Sequence, residues 1–467
     1  MFPLAIFRLS NYYSVSKRCL KISSIFFQTE YEEVNYPECK LSQKSVDDII
    51  STNETCETIE SSRVSHFHCN QVGVNRPIED RWNVGSFDFS NLKCQSKVNI
   101  RYPGHVFSVV DGHNGHASSH TINYCHMDYI AVSMINDLEV LEEFLRDLNE
   151  NEYMTITKSF VPHNTWGTMA TSVRESHFRN LRAYISEKIQ NFNDSMQSRS
   201  LALRNSLSRL DRDMIAAAAP SSDAINRALL RTVTSGCVGT FVYVPENDDH
   251  CYIAQVGDCG AVLGSFDSHS NNWKAELLVK PHNSSNSSEI ERIESEHPIS
   301  ESDSVIREDR LLGELMPLRA FGNVKFKWSA NTLKTTAALL GLSPSYPVTP
   351  QFYFSPPYLT SEPEIKKFRI DKKSDKLLII ASDGLWDKLS PAEAVEAVSK
   401  CCKQQTINNQ ISNAVYCSGE NSASVLIKTA LSGSETDYDK LSLLLSMPGN
   451  IGRYYRDDIT VIVLFFK

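Results

Sequence analysis

Four apolar, β-branched runs in this chain share one oddity: each stops or starts against an aspartate. VFSVV (Val106–Val110) runs into Asp111-Gly112-His113, KLLIIA (Lys376–Ala381) into Ser382-Asp383-Gly384, and CYIAQV (Cys251–Val256) into Gly257-Asp258. ITVIVLFF (Ile459–Phe466) is preceded by Asp457-Asp458, and PIEDR (Pro77–Arg81) adds Glu79 and Asp80 upstream. Short runs rich in branched and aromatic residues read as strands. If their acidic ends share one edge of a sheet, the carboxylates crowd together, repel, and raise one another's pKa unless positive charge lies between them. A pair of hard divalent cations is the natural neutraliser. Oxygen ligands, with no His or Cys at ligand spacing, favour Mg²⁺ or Mn²⁺ over Zn²⁺. Two such ions about 3.5 to 4 Å apart suit metal-assisted phosphoester hydrolysis. A single Asp-Gly pair is more often a turn; it is the recurrence that points to chemistry.

The remaining pattern mixes strands with helices and so predicts an α/β class. TFVYV (Thr240–Val244) and AVLGSF (Ala261–Phe266) are further strands, and the polar PENDDH between Val244 and Cys251 suits a hairpin, so part of the sheet is antiparallel. Leu and Met recur at helical spacing over Met134–Leu148, and Phe178, Leu181, Ile185, Ile189 and Phe192 mark a second helix. These stripes are core faces and carry no chemistry.

A formal net charge of −9 argues against a polyphosphate partner, which needs clustered Lys and Arg. The 12 cysteines form no CxxC pair, so neither a zinc module nor a disulfide framework is indicated. No run reaches the roughly 18 to 20 apolar residues of a membrane span. Residues 1–29 carry Arg8, Lys17, Arg18 and Lys21, several serines and no acid, the composition of a mitochondrial transit peptide. Residues 30–65 are polar and read as a flexible linker, with order beginning near His66. The catalytic domain is then 66–467, with an elaborated surface segment at 268–360.

In order, PIED, VVDGH, VGDCGAVLG, LRAFGN, ASDGLWD and DDITVIV resemble the motif series of the metal-dependent, type 2C protein serine/threonine phosphatases. NRPIEDR, the segment Ser304–Trp328, PPYLTSEPE (Pro356–Glu364) and YRDDIT (Tyr455–Thr460) are similar to the pyruvate dehydrogenase phosphatase branch of that family. The resemblance covers about Gln71 to the C-terminus. It implies a β-sandwich of two mainly antiparallel sheets flanked by helices, with the site at one end. It also implies that Asp111 bridges two metals, that Glu79 and the Gly112 carbonyl complete one ion's protein ligands, and that Asp383 and Asp457 complete the other's. Asp80 would orient a water, His113 would be the general acid, and Asp258 and Asp387 match a third metal site.

Five positions depart from the pattern. Asn75 stands where many relatives grip the substrate phosphate with arginine, leaving Arg76 as the nearest cation; Cys259-Gly260 replaces Ser-Arg, Asn323 an acid of the AFG-Asp motif, and Pro281 the acid of Asp-His-Asn. By resemblance the target is phosphoserine of the pyruvate dehydrogenase component in the mitochondrial matrix. Recruitment to the lipoyl domain of the acetyltransferase core, with Ca²⁺ at that interface, follows from the same likeness, although no EF-hand loop is present in the sequence. Two alternatives stay open: a mitochondrial type 2C phosphatase with another phosphoprotein target, and a pseudophosphatase that keeps the fold as a binding module.

Overall fold

The computed structural model describes residues 40–87, 104–148, 157–159, 169–192, 198–221, 224–407, 410–417 and 419–467. The expected transit segment, 1–29, lies outside them. Residues Leu41–Lys467 form one compact unit.

Two antiparallel sheets in that unit face each other. The first contains β1 (Thr55–Thr58), β2 (Val64–Val72), β8 (Gly260–Asp267), β9 (Asn272–Leu277), β11 (Asp375–Ala381) and β12 (Ile459–Phe466), in the order β1-β2-β12-β11-β8-β9. The second contains β3 (Arg81–Phe87), β4 (Gly104–His113), β5 (Thr157–Ser159), β6 (Gly236–Pro245), β7 (His250–Val256) and β10 (Glu364–Arg369), in the order β10-β7-β6-β4-β3-β5, with the short strand Phe321–Gly322 also paired to β6. Phe67, Phe107, Val109, Val242, Ile253, Leu378, Ile380 and Leu464 fill the space between the sheets. Their neighbours along each strand point outward onto helices, the period-2 alternation of a pleated strand.

Helices α2 (Ala117–Met134), α3 (Leu138–Asp147), α4 (Thr171–Gln190), α5 (Arg199–Ala218) and α6 (Arg227–Thr234) cover the second sheet. The first sheet is covered by α1 (Gln43–Ser51), α7 (Pro391–Cys401), α8 (Ser422–Ser432) and α9 (Tyr438–Ser446). The result is four layers, helix, sheet, sheet, helix, which is the expected class. Among the described residues no helix is long and apolar enough to cross a membrane.

Three expectations need correction. The linker reading of 30–65 fails from residue 41 onward: Ser42 caps α1, whose Val46 and Ile50 are fully buried, and β1 pairs with β2 from Thr55↔Cys69 to Thr58↔His66. Two well-spaced apolar residues suffice to dock a short polar helix, which composition alone conceals. The helix expected over Met134–Leu148 is two helices, because Asp137 takes an extended conformation and its side chain accepts from the Val140 N–H at 3.2 Å, an N-cap that restarts the helix. Finally, β4 does not stop at Val110 but runs on through His113, paired with β6 as Asp111↔Val238 and His113↔Gly236.

Candidate active site

The register of each sheet carries the acids to one end of the sandwich. In the second sheet, Arg81↔Val110 sets Asp80 next to Asp111, and Gly239↔Val256 brings the end of β7, and so Asp258, to the same end. In the first sheet, Ala381 pairs with both Val461 and Gly260, which places Asp383, the residues before β12 and the start of β8 together. Asp383 and Asp111 are close enough to hydrogen-bond across the two sheets. Asp80 is buried, Asp111, Asp258, Asp383 and Glu79 are partly accessible, and Asp387 and Asp457 are exposed, so the group opens to solvent on one side.

At Asp80, Asp111, Asp258 and Asp383 the largest charge contributions come from other carboxylates. Burial, then the charges of Asp80, Asp383, Asp258 and Asp457, push the Asp111 carboxyl well above the usual range. Burial and Asp458 lift Asp80 to about 8, against the opposing hydroxyls of Thr460 and Ser382. Asp258 is lifted to about 8 by burial and by Asp383 and Asp387, and Asp383 to about 6 by burial and by Asp457 and Asp387. At Asp111 the four largest charge contributions all come from other carboxylates. Such a group fits hard divalent cations, which would return each member to its ionised form. Among the described residues no three His, Cys, Asp or Glu side chains close on a single point. Magnesium keeps several water ligands and so needs fewer protein ligands than the closed cage of a structural zinc.

Local packing fixes each acid. Gly112 must be glycine, because a Cβ there would stand 2.6 Å from the Glu79 carbonyl oxygen and from Ser119 Oγ. The Glu79 carboxylate accepts from the Gly115 N–H at 2.9 Å, and its carbonyl accepts from Ser119 Oγ at 2.5 Å. Asp80 Oδ2 accepts from Thr460 Oγ1 at 2.8 Å, and Gln71 Nε2 ties the Asp80 carbonyl to that same hydroxyl at 3.1 and 2.9 Å. Gly384 lies so close to the Asp458 carbonyl that a Cβ would meet it at 2.1 Å, so the segments carrying Asp383 and Asp457 lie against each other.

Several functional residues escaped the sequence reading. Asp458 is no spare ligand: Oδ1 accepts from the Val74 and Asn75 N–H groups at 2.6 and 3.0 Å, and Oδ2 from Asn75 Nδ2 and the Glu79 N–H at 3.0 and 2.8 Å. It shapes the 74–79 loop, and the Asn75 amide is spent on it. Asn323 holds its backbone at φ 50° and its Oδ1 lies 2.6 Å from His113 Nε2, so this departure orients the predicted acid. Burial lowers the His113 pKa while that bond opposes the shift.

His282 clamps the β7 end. Its Nδ1 accepts from the Gly257 N–H at 3.1 Å, and its backbone N–H donates to the Gly257 carbonyl at 3.0 Å, so Pro281 stands beside a support for Asp258. Gly260 allows Trp386 to lie over it, where a Cβ would meet Nε1 at 2.9 Å, and Trp386 donates to the Ala381 carbonyl at 2.9 Å. Arginine at 260 has no room in that contact. His116 accepts from the His120 N–H through its carbonyl at 3.0 Å and starts α2.

These strand ends belong with a set of sequence likenesses. A family profile described as protein phosphatase 2C matches residues 151–432. The human mitochondrial pyruvate dehydrogenase (acetyl-transferring) phosphatase 2 is 31% identical over 469 residues, 92% of this chain and 84% of that protein. The bovine phosphatase 1 of the same description is 32% identical over 438 residues, covering 87% and 78%. A protein phosphatase 2C homolog of Schizosaccharomyces pombe is 33% identical over 262 residues, 53% of this chain and 56% of the relative. With a sandwich that gathers its acids at one end and relatives matched over most of its length, this chain belongs to the protein phosphatase 2C family.

Proposed function

We propose that the chain is a Mg²⁺- or Mn²⁺-dependent protein serine phosphatase that hydrolyses phosphoserine on the pyruvate dehydrogenase component of the mitochondrial matrix, and so reactivates that complex. The observation that carries the reading is the convergence of Asp80, Asp111, Asp258 and Asp383 with carboxylates as their dominant charged neighbours. Glu79, Asp111 and the Gly112 carbonyl would hold one divalent ion, and Asp111, Asp383 and Asp457 the other, with Asp258 and Asp387 available to a third. When bound, such ions neutralise the transferring phosphoryl group and acidify a water.

The chain's own residues do the rest. Asp80, anchored by Thr460, orients the attacking water, and the burial of its carboxyl keeps that orientation fixed. His113, its ring set by Asn323, delivers a proton to the departing serine oxygen. No phosphoenzyme is needed, because no Ser, Cys or His nucleophile is required when water attacks in line.

The target follows from the names of the relatives and from the motif segment Ser304–Trp328; docking to the lipoyl domain with a shared Ca²⁺ belongs to the same proposal. The test is phosphate release from a phosphoserine peptide of pyruvate dehydrogenase by metal-stripped protein. Restoring Mg²⁺ or Mn²⁺ should restore release, and phosphorylated pyruvate dehydrogenase should be preferred over phosphorylated branched-chain dehydrogenase. No metal-dependent release would leave the pseudophosphatase reading, and equal rates would remove the target. A reporter fused to residues 1–40 that stays cytosolic would remove the matrix assignment.

A further inference from the structure

The site lacks the phosphate-gripping arginine expected at position 75, and Asn75 turns its amide to Asp458. Beside Glu79, however, a cavity of about 450 Å³ opens, walled by Val74, Asn75, Arg76, Gly115 and Arg453. Its size lies within the range of small-ligand sites, roughly 300 to 1,000 Å³. Arg76 and Arg453 are both exposed, and neither guanidinium has a hydrogen-bond or ion-pair partner among the described residues. Arg453 is nonetheless close enough for its charge to favour the ionised forms of Glu79 and Asp457. An uncommitted guanidinium thus stands next to two of the proposed metal ligands.

The backbone that carries it is locked in place. A Cβ on Gly449 would stand 2.7 Å from the Val74 carbonyl oxygen, and one on Gly452 would stand 2.7 Å from Val74 Cγ2, so two glycines let residues 449–452 lie directly on the loop. Arg456 Nη2 donates to the Gly73 carbonyl at 3.0 Å and Nε to the Leu444 carbonyl at 3.3 Å, pinning the far end. Arg76 is near enough to Arg456 to depress its pKa, so positive charge accumulates along this wall. Tyr454 and Tyr455, 87% and 53% exposed, continue the surface outward as two aromatic faces.

We infer that Arg453, seconded by Arg76, binds the phosphoryl group of the substrate phosphoserine in this cavity, taking over from a distant point of the sequence the role that Asn75 cannot fill. A guanidinium fork matches two phosphate oxygens at once, which an ammonium does not. The inference rests on the phosphatase reading and adds the residue that holds the substrate.

The test compares the wild type with Arg453→Ala, Arg453→Lys and Arg76→Ala. Two quantities are read: KM and kcat for a phosphoserine peptide with Mg²⁺, and the shift in thermal midpoint produced by inorganic phosphate. Arg453→Ala should raise KM and the inhibition constant of inorganic phosphate about tenfold with a smaller change in kcat, the size expected for losing one charge-assisted fork. It should also cut the thermal shift produced by a fixed phosphate concentration, as tenfold weaker binding requires. Arg453→Lys should recover part of both, and Arg76→Ala should change them about twofold. Unchanged KM and unchanged thermal shift in Arg453→Ala would overturn the assignment. If the wild type released no phosphate at all, the phosphatase reading would fall, and the thermal shift would still decide on Arg453: cut in the variant it supports the site, unchanged it refutes it.

Discussion

Two groups of acids in this molecule behave in opposite ways. At the end of the sandwich, Asp80, Asp111, Asp258 and Asp383 face one another, and burial with mutual repulsion lifts their carboxyls out of the usual range. In the segment after β9, Glu289 is buried too, at 3% exposure, yet its carboxyl is lowered to about 2. Burial there pushes upward too, but Arg319 at 2.5 and 2.9 Å and Arg292 at 3.0 and 3.2 Å outweigh it. Glu289 thereby ties the helix Ser287–Glu296 to the LRAFGN segment, and Arg319 reaches on to the Glu362 carbonyl at 2.8 Å. Glu289, a buried acid that serves the fold, brings its cations with it. Asp80, Asp111, Asp258 and Asp383 have other carboxylates as their largest charged neighbours, and the cost of gathering them is carried by the rest of the structure.

Removing one member from each group should therefore move different quantities. Asp111→Asn should lower metal-dependent phosphate release by about 10³-fold or more, since it takes away the carboxylate proposed to bridge both ions. In chelator at pH 8 the same change should raise the thermal midpoint relative to wild type, because it removes charge from a repelling group. A variant that keeps its activity, or loses stability in chelator, would mean that Asp111 is an ordinary paired acid. Glu289→Gln is the mirror case. It should cost about 2 to 4 kcal/mol in urea unfolding by leaving Arg319 without its carboxylate, while KM for metal stays where it was.

The two groups also differ in how far the sequence could disclose them. The acids at the end of the sandwich were legible because a strand boundary is a local feature: a β-branched run broken by Asp-Gly is visible in ten residues. So were β4, β6, β7, β8, β11 and β12, while β1, β2, β3, β5, β9 and β10 were not. Helix α2 escaped periodicity because it is buried almost all round, with Asn123, His126 and Asp128 inside and no polar face to set off an apolar one. Glu289 and Arg319 are 30 positions apart and read as solvated charges until the fold closes them. Asp458, Asn323, His282 and Arg453 depend on partners that only register and loop packing supply. Pairwise roles across hundreds of residues leave no spacing to read.

A third change tests whether positioning contacts near the acids act on chemistry or on stability. Asn323→Ala removes the 2.6 Å contact to His113 Nε2 and leaves every ligand acid in place. The expected outcome is a loss of about tenfold in kcat with little change in KM, since a disordered general acid affects the proton transfer and not substrate capture. A rise in KM with kcat intact would move His113 out of the chemistry and into substrate binding.

The smallest effect is the acid limb of stability set by Glu289. Its folded pKa of about 2 lies below the ordinary glutamate value of 4.5, so its contribution is full above the unfolded value and is lost as pH falls through 4.5 toward 2. Between pH 5 and pH 4 this one group should account for about 0.5 kcal/mol of lost stability, a figure already reduced for partial screening of Arg292. Urea titrations of wild type and Glu289→Gln at those two pH values isolate it: the wild type should lose that much more than the variant. Parallel losses would show that Arg319 and Arg292 do not hold the carboxylate in solution, and the contrast between the two groups of acids would then rest on the end of the sandwich alone.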